Sequence, residues 1–310
     1  MFKKILIPLD GSFRAEQALE LVKKLMPETK FELVLLEATG NQNLVYSVYG
    51  FGTNSYVDVC PECLIKDGKY ILSAAEKAQQ WAPKVEGFTK FDTAERAIVD
   101  VAIHEEVDLV VMVTHGYTGL ERLLFSSVTE KVIRDAPCPV LAVRDGHLPK
   151  HMLIALDGTR FSETILEPAF ELAKLIKADV TLARVDVPKK QLRREDVAEI
   201  RKFDRGLADT VLYNDINEAD LYLKSLHRQY TDEADEINVM LDVDLARGQP
   251  GDHLPMMAKR NGCDLIAMAT HGRKGLDHFW NRSVTEKVMH QTDTAMLILH
   301  PEVEAVPTLV

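Results

Sequence analysis

The chain has 310 residues, with 48 acidic and 37 basic side chains and a formal net charge of -11, a balance that repels nucleic-acid phosphates and anionic lipid. Because of this charge we expect no nucleic-acid partner. No apolar run approaches the length of a membrane span, so we expect no membrane either. The length suits two domains of about 150 residues each, and four cysteines in such a chain indicate reduced thiols and a cytoplasmic location.

Apolar runs alternate with helical patterns along the first half of the chain. Apolar residues recur at helical spacing from Ala15 to Leu25, after Ser12, which can cap the helix start. A second helical pattern runs through Ile98, Val101 and Ala102. Short unbroken apolar runs are typical of strands buried on both faces of a parallel sheet. The predicted strands are Ile5–Ile7, Leu33–Leu36, Leu109–Val113 and Val140–Val143.

A Cys-x-x-Cys pair, Cys60 and Cys63, lies in a stretch without a clear strand or helix pattern, which follows the second predicted strand of the first half. We call it the variable stretch. Such a pair can be half of a zinc site or the dithiol of a redox protein. Zinc would need two more ligands, and Cys138 and Cys263 are each isolated in the sequence, so a second subunit would have to supply them. The alternative is a pair of incidental thiols that opens a helix running through residues 70 to 81.

The second half repeats signatures of the first half in the same order. Asp10-Gly11-Ser12 returns as Asp157-Gly158-Thr159, DLVVMVTHG at 108–116 as DLIAMATHG at 264–272, and SVTEKV at 127–132 unchanged at 283–288. A period this long indicates two domains, which we place at residues 1–146 and 150–301. The predicted strands of the second half are Met152–Leu156, Val180–Val185, Val239–Leu245, Leu265–Ala269 and Ala295–Leu299.

The order of these elements predicts an α/β fold. The second half is longer than the first between its repeated signatures. A charged, helix-prone stretch from Gln191 to Tyr230 accounts for the additional residues. With right-handed crossovers, each half becomes an open, doubly wound parallel sheet with helices on both faces. The ligands of such sheets bind beyond the carboxyl ends of the strands.

The repeated signatures fall at those carboxyl ends. Asp10 and Asp157 follow the first strand of each half, where a carboxylate can accept hydrogen bonds from a ribose or can close a turn with the next glycine. The loop that contains Gly116 and Gly119 can bring backbone amides close to an anion. Ser127 then opens a capping box at the start of a helix, whose free amides favour phosphate. The capping box needs no ligand to explain it.

Four motifs, PLDGS, THGxxGL, SSVTEKV and PVLAV, together resemble the universal stress protein family in its tandem two-domain form. The resemblance implies five parallel strands in the order 3-2-1-4-5, dimer-like packing through the last strand, and in some members ATP, with Mg²⁺, at a Gly-x-x-Gly-x9-Gly-Ser/Thr motif. The nucleotide-binding residues that it implies are Pro8, Asp10, Ala38, Val113, Gly116, Gly119, Ser126, Ser127 and Val128 in the first half, and Asp157, Gly272, Arg282, Ser283 and Val284 in the second.

Several of these positions depart from the family's pattern. Val113 and Ala269 stand at the first glycine of the motif, and Ser126 and Arg282 at the third. The branched side chain of Val113 narrows the expected phosphate site, whereas Ser126 is small and can donate a hydrogen bond. Arg282 can pair with phosphate or fill the pocket in its place. The first half is therefore the better candidate for nucleotide.

Two classes of function follow from these residues. The first is a non-enzymatic stress-response module that binds adenine nucleotide, or has lost that site, and acts through protein contacts. The second is an enzyme or sensor that hydrolyses ATP or uses the Cys60–Cys63 pair. We expect no catalytic residue, because nothing beside His115 and His271 in sequence makes a nucleophile and base pair. The tandem form predicts either a homodimer or a monomer whose halves pair with each other.

Overall fold

The structure is a computed structural model that describes residues 2–25, 31–40, 44–48, 68–113, 126–144, 146–187, 205–270 and 284–301, with the backbone alone for 44–48 and 205–217. Within these ranges, no helix combines the length and the apolar character needed to cross a bilayer.

Strands and helices alternate through the first half. Helix α1 begins where the sequence predicts, because the Ser12 hydroxyl accepts a hydrogen bond from the Ala15 amide at 3.1 Å. The elements are β1 (Lys4–Leu9), α1 (Phe13–Leu25), β2 (Glu32–Ala38), β3 (Leu44–Val48), α2 (Lys69–Ala78), β4 (Lys84–Phe91), α3 (Ala94–His104), β5 (Leu109–Val113), α4 (Ser127–Asp135) and β6 (Val140–Val143).

The second half follows the same succession, with a long helix in place of the variable stretch. The described part of its charged segment lies in α7, and Leu223 and Leu226 of this helix are buried in the core. The elements are β7 (His151–Leu156), α5 (Arg160–Glu163), α6 (Leu166–Ile176), β8 (Asp179–Asp186), α7 (Arg205–Glu236), β9 (Leu241–Arg247), α8 (Pro250–Arg260), β10 (Leu265–Ala269), α9 (Val284–Gln291) and β11 (Ala295–Leu299).

The predicted α/β fold class is confirmed. The strand order β4-β2-β1-β5-β6 in the first half and β9-β8-β7-β10-β11 in the second half is the order 3-2-1-4-5 in both. Strand β3 adds an antiparallel edge to the first half by pairing with β4. The prediction did not include this strand, because the pattern of an edge strand cannot be separated from that of an aromatic loop.

The sheets of the two halves are joined into one sheet. Strand β6 pairs antiparallel with β11, so that Leu141 lies opposite Leu297 at the centre of the contact. The two side chains are 1% and 0% exposed. Pairing through the last strand of each half therefore takes place within one chain and leaves neither strand as an open edge.

Polar contacts accompany this strand pairing. The Arg144 guanidinium donates a hydrogen bond to the Thr292 carbonyl oxygen at 2.5 Å. The His290 imidazole lies 3.7 Å from the Glu130 carboxylate of the other half. Arg144, directly after β6, thus takes part in the contact with the second half.

Alternate residues of the central strands face two separate cores. Ile5 and Ile7 face the core under α1 and α2, whereas Leu6 faces the core under α3 and α4. All three side chains are 0% exposed. Burial on both faces explains why these strands are unbroken apolar runs.

Two element boundaries and one strand illustrate how the structure differs from the sequence-based expectation. Helix α2 ends at Ala78, with Gln79 as its C-cap, and does not reach residue 81. Strand β9 begins at Leu241 rather than two residues earlier, because the Met240 amide donates to the Asp179 carboxylate at 2.8 Å. Strand β4 was not located in sequence, because charged residues interrupt its apolar pattern.

The two described cysteines are buried, and we expect them to react slowly. Burial raises the pKa of the Cys138 thiol to about 12 and that of Cys263 to about 11, so little thiolate is present near pH 8. With iodoacetamide at pH 8, peptide mapping should show modification of each at least about tenfold slower in the native chain than in urea. Equal rates in the two conditions would contradict this burial.

Candidate functional site

The strand order reverses between β1 and β5, the point at which an open α/β sheet forms a crevice. These strands pair at Ile5 and Leu6 only, and the pairing ends before Pro8, which has no backbone N–H to donate. In the second half, β7 and β10 pair through Ile154, one position further along the repeat. The mouth of such a crevice is where open α/β sheets bind ligands.

Asp10 lies at the mouth of this crevice, directly after β1. Its Oδ1 accepts the Ser12 amide at 2.9 Å and closes a turn, around Gly11 in the left-handed region at φ +76°. This is the structural role that the sequence left open. The carboxylate is exposed, and its second oxygen has no hydrogen bond within the described ranges. The turn therefore leaves one acceptor available to a ligand hydroxyl.

Helix α4 begins at the same edge of the sheet. The Ser126 hydroxyl accepts the Thr129 amide at 3.1 Å, as an N-cap does. The amides of Ser127 and Val128 have no partner among the residues that the structure describes. Two free N–H groups at a helix start form a favourable site for an anion.

In the repeated SVTEKV motif, side chains after the first two residues have structural roles. The Lys131 ammonium bonds the Glu95 carboxylate of α3 at 2.6 Å, and the contact holds the pKa of Glu95 below its usual value. Lys287 makes the matching contact with Asp252 at 2.7 Å. Val132 is 0% exposed. The motif thus fixes the position of the helix start through ion pairs and a buried side chain.

Ala38 ends β2 on the neighbouring side of the crevice and packs against the core under α3 and α4. The Thr39 amide bonds the Lys90 carbonyl at 2.9 Å. The Thr39 hydroxyl is buried and has no partner in the described part of the chain, an arrangement that is uncommon for a buried polar atom. Lys90 itself pairs with Asp100, and burial lowers its pKa.

Val113 is the last residue of β5 and is half-buried. Its side chain packs against the core under α1 and α2, as does that of Ala269 in the second half. The prediction that Val113 narrows a phosphate site stays a prediction, because the loop that follows it lies outside the described residues.

A tyrosine–glutamate pair that sequence reasoning missed lies beside each aspartate. The Tyr70 hydroxyl donates to Glu16 at 3.4 Å, and the Tyr222 hydroxyl donates to Glu163 at 2.9 Å. Burial and Glu16 together raise the pKa of Tyr70 to about 12. The glutamates hold equivalent positions after Asp10 and Asp157, a signal that the sequence contained. The tyrosines do not, because insertions separate them.

The second half repeats the aspartate turn but surrounds it differently. Asp157 accepts the Thr159 amide at 2.8 Å and the Thr159 hydroxyl at 2.6 Å with the same oxygen. The Arg184 guanidinium of β8 lies against Gly158. No sequence motif had marked Arg184, which lies inside the predicted strand Val180–Val185.

The repeated aspartates Asp108 and Asp264 lie at the opposite edge of the sheet. Asp108 accepts the backbone amides of Lys3 and Lys4 at 2.9 and 2.8 Å, and Asp264 does the same at the start of β7. Their repetition is therefore explained by anchoring the first strand of each half.

Several predicted site residues lie outside the described ranges. They are Gly116, Gly119, Gly272, Arg282 and Ser283 of the nucleotide motif, His115 and His271, and the pair Cys60 and Cys63. Val284 is described as the first residue of α9 and is exposed. Within the described residues, no group of three or more His, Cys, Asp or Glu side chains could hold a metal ion, and zinc at the cysteine pair stays a prediction.

The chain is similar to known proteins both in sequence and in fold. The model of the universal stress protein family matches residues 1–144 and 149–300. A universal stress protein of Methanocaldococcus jannaschii is 32% identical over 153 residues, covering 46% of this chain and 83% of that protein.

Solved structures show the same fold over nearly the whole chain. A universal stress protein from Archaeoglobus fulgidus, 16% identical, has a TM-score of 0.62 and covers 96% of this chain and 98% of its own. A putative universal stress protein from Pseudomonas aeruginosa, also 16% identical, has a TM-score of 0.66 and covers 97% and 94%. At this identity the likeness concerns the fold alone.

Proposed function

The chain belongs to the universal stress protein family, and on this premise we propose that it binds adenine nucleotide to regulate the response to stress. The nucleotide is ATP with Mg²⁺, bound in the first half, and the protein acts through contacts with other proteins in the cytoplasm rather than by turnover. One observation carries the proposal: Asp10 and the start of α4 lie at the same edge of the sheet, and a carboxylate oxygen of the former and two amides of the latter have no partner among the described residues.

The groups at this edge fit the chemistry of ATP. The second oxygen of Asp10 suits a ribose hydroxyl, and the amides of Ser127 and Val128 suit the phosphates. The buried Thr39 hydroxyl, which lacks a partner among the described residues, suits a polar edge of adenine beside Ala38. Mg²⁺ would arrive with the phosphates and supply charge neutralisation for them.

The proposal treats the chain as a paired unit. Single-domain relatives are expected to pair through their last strands, and here β6 and β11 make that pairing within one chain. The departures from the family's motif at Val113 and Arg282 favour a binding role over turnover. Any further assembly into a homodimer would use other surfaces.

Isothermal titration calorimetry with ATP and Mg²⁺ tests the proposed site. Replacing Asp10 by asparagine keeps an oxygen for the Ser12 amide but removes the charge that strengthens the ribose contact. We expect ATP affinity to fall about tenfold, since a hydrogen bond to a charged group contributes about 1.5–3 kcal/mol. Gly116→Val, which adds a branched side chain to the loop of the expected phosphate site, should abolish binding.

Asp135→Asn is the matched control, because this exposed residue at the far end of α4 loses the same charge. Its ATP affinity should equal that of the unaltered chain. The proposal fails if ATP gives no binding heat, or if Asp10→Asn and Gly116→Val both bind like the control. Release of inorganic phosphate during overnight incubation would instead favour the alternative of an ATP-hydrolysing protein.

A further inference from the structure

The Arg184 guanidinium lies between the Gly158 backbone and the Tyr222 ring, at the carboxyl ends of the strands of the second half. A Cβ at Gly158 would lie only 2.7 Å from Nη1 of Arg184, so the guanidinium packs directly on the glycine backbone. On its other side, the guanidinium carbon lies 5.1 Å from the centre of the Tyr222 ring. A cation stacked on an aromatic ring in this way is held in a defined orientation.

The N–H groups of Arg184 are left without acceptors. Within the described residues, Arg184 makes no hydrogen bond and no ion pair, although it is half-buried. Of the neighbouring carboxylates, Glu163 accepts the Tyr222 hydroxyl with Oε1 at 2.9 Å, and Asp157 accepts two bonds from Thr159 with Oδ1. A fixed guanidinium with free donors is suited to bind an oxyanion.

The same position in the first half carries the opposite charge. Leu156 pairs with Arg184 in the β7–β8 register, and Leu9 pairs with Glu37 in the β1–β2 register. A carboxylate at this place repels phosphate, whereas a guanidinium attracts it. The two halves therefore present different charges beside the same aspartate turn.

We propose that the second half binds an adenosine nucleotide with a phosphate on its ribose, and that Arg184 holds this phosphate beside Asp157. The inference rests on the proposed function, from which it takes the position of the ribose at the aspartate. In dinucleotide sites an acidic residue binds a ribose hydroxyl, whereas a nearby arginine accommodates a ribose phosphate. The second half has that arginine, and the first half has Glu37 in its place.

Calorimetric titration of the full chain with adenosine 3′,5′-bisphosphate, adenosine 2′,5′-bisphosphate and AMP tests this inference. AMP shares the 5′-phosphate but lacks the ribose phosphate. We expect at least one bisphosphate to bind about tenfold or more tightly than AMP, because a bidentate contact between arginine and phosphate is strong. Arg184→Gln should abolish the difference while leaving the melting temperature and the affinity for ATP of the first half unchanged.

Three further variants use the internal repeat. Gly158→Ala and Gly11→Ala both strain a turn at positive φ, but only at Gly158 would the new Cβ displace the guanidinium, whereas at Gly11 it meets no atom within 4 Å. Gly158→Ala should therefore lower bisphosphate affinity, and Gly11→Ala should not. Glu37→Arg gives the first half the same cation and should raise the bisphosphate stoichiometry from one to two per chain.

The outcomes separate this inference from the proposed function. Equal affinities for AMP and both bisphosphates, or a preference that survives Arg184→Gln, would overturn the inference whatever ATP does. Absence of ATP binding together with an Arg184-dependent bisphosphate preference would instead remove the proposed function of the first half. Loss of ATP affinity in Asp10→Asn with an unchanged bisphosphate preference is the result expected if both hold.

Discussion

Replacing Leu141 by alanine should destabilise both halves of the chain together. Leu141 is 1% exposed and lies opposite Leu297 where β6 meets β11. Leucine-to-alanine changes at such sites cost about 2–5 kcal/mol, through the lost burial and the cavity that remains. Urea unfolding followed by circular dichroism should show the lower free energy of unfolding. Hydrogen exchange should also accelerate in β11 and β10, although the substitution lies in the first half.

Ile103→Ala is the matched control, because Ile103 is 55% exposed on α3. Its free energy of unfolding should change by no more than about 0.5 kcal/mol. If Leu141→Ala accelerated exchange in the first half alone, the two sheets would be energetically independent, and the joined sheet would not be a unit of stability. A double-mutant cycle with Leu297→Ala would measure the coupling between the two side chains directly.

Replacing Phe170 by alanine should cost about 3–5 kcal/mol, in the range measured for large buried aromatic residues. Phe170 is 1% exposed and stacks on Tyr230 with ring centroids 4.6 Å apart and an interplanar angle of 10°. The stacking joins α6 to α7, the helix that carries Tyr222. Urea unfolding measures the cost, and bisphosphate titration should show weaker binding because Tyr222 no longer holds Arg184 in place.

Leu221→Ala tests the same helix at a position that contacts little, since Leu221 is 57% exposed. Its stability and its bisphosphate affinity should match those of the unaltered chain. Retention of full stability in Phe170→Ala would show that α7 is attached to the second half by other contacts. Lower stability with unchanged bisphosphate affinity would show that Tyr222 is held independently of this stacking.

The two halves share a scaffold and differ where a ligand would contact it. Asp10 and Asp157 close the same turn, and the tyrosine–glutamate pairs lie beside both. The difference is carried by Glu37 and Arg184 at one register position, and by the extent of strand pairing at the crevice. A duplicated site can change its ligand by such substitutions at its edge while its core packing is retained.

The site was predictable from sequence where a residue acts within its own segment. Asp10, Ser12 and Ser126 act on amides two or three residues away, so their roles follow from local spacing. The partners of Tyr222 and Arg184 lie far away in the chain, and a single sequence contains no signal for such contacts. Asp108 shows the converse, because a repeated residue near a functional loop proved to anchor a strand at the other edge.

The amino-acid order alone was sufficient for the repeat, the fold class and most strands, because a strand buried on both faces needs an unbroken apolar run and a turn needs its glycine. Three features required the folded chain: the antiparallel register in which β6 joins β11, the added strand β3, and the stacking of Arg184 between Gly158 and Tyr222. Each depends on residues distant in sequence, whose contact is selected by the packing of the whole molecule rather than by local preference.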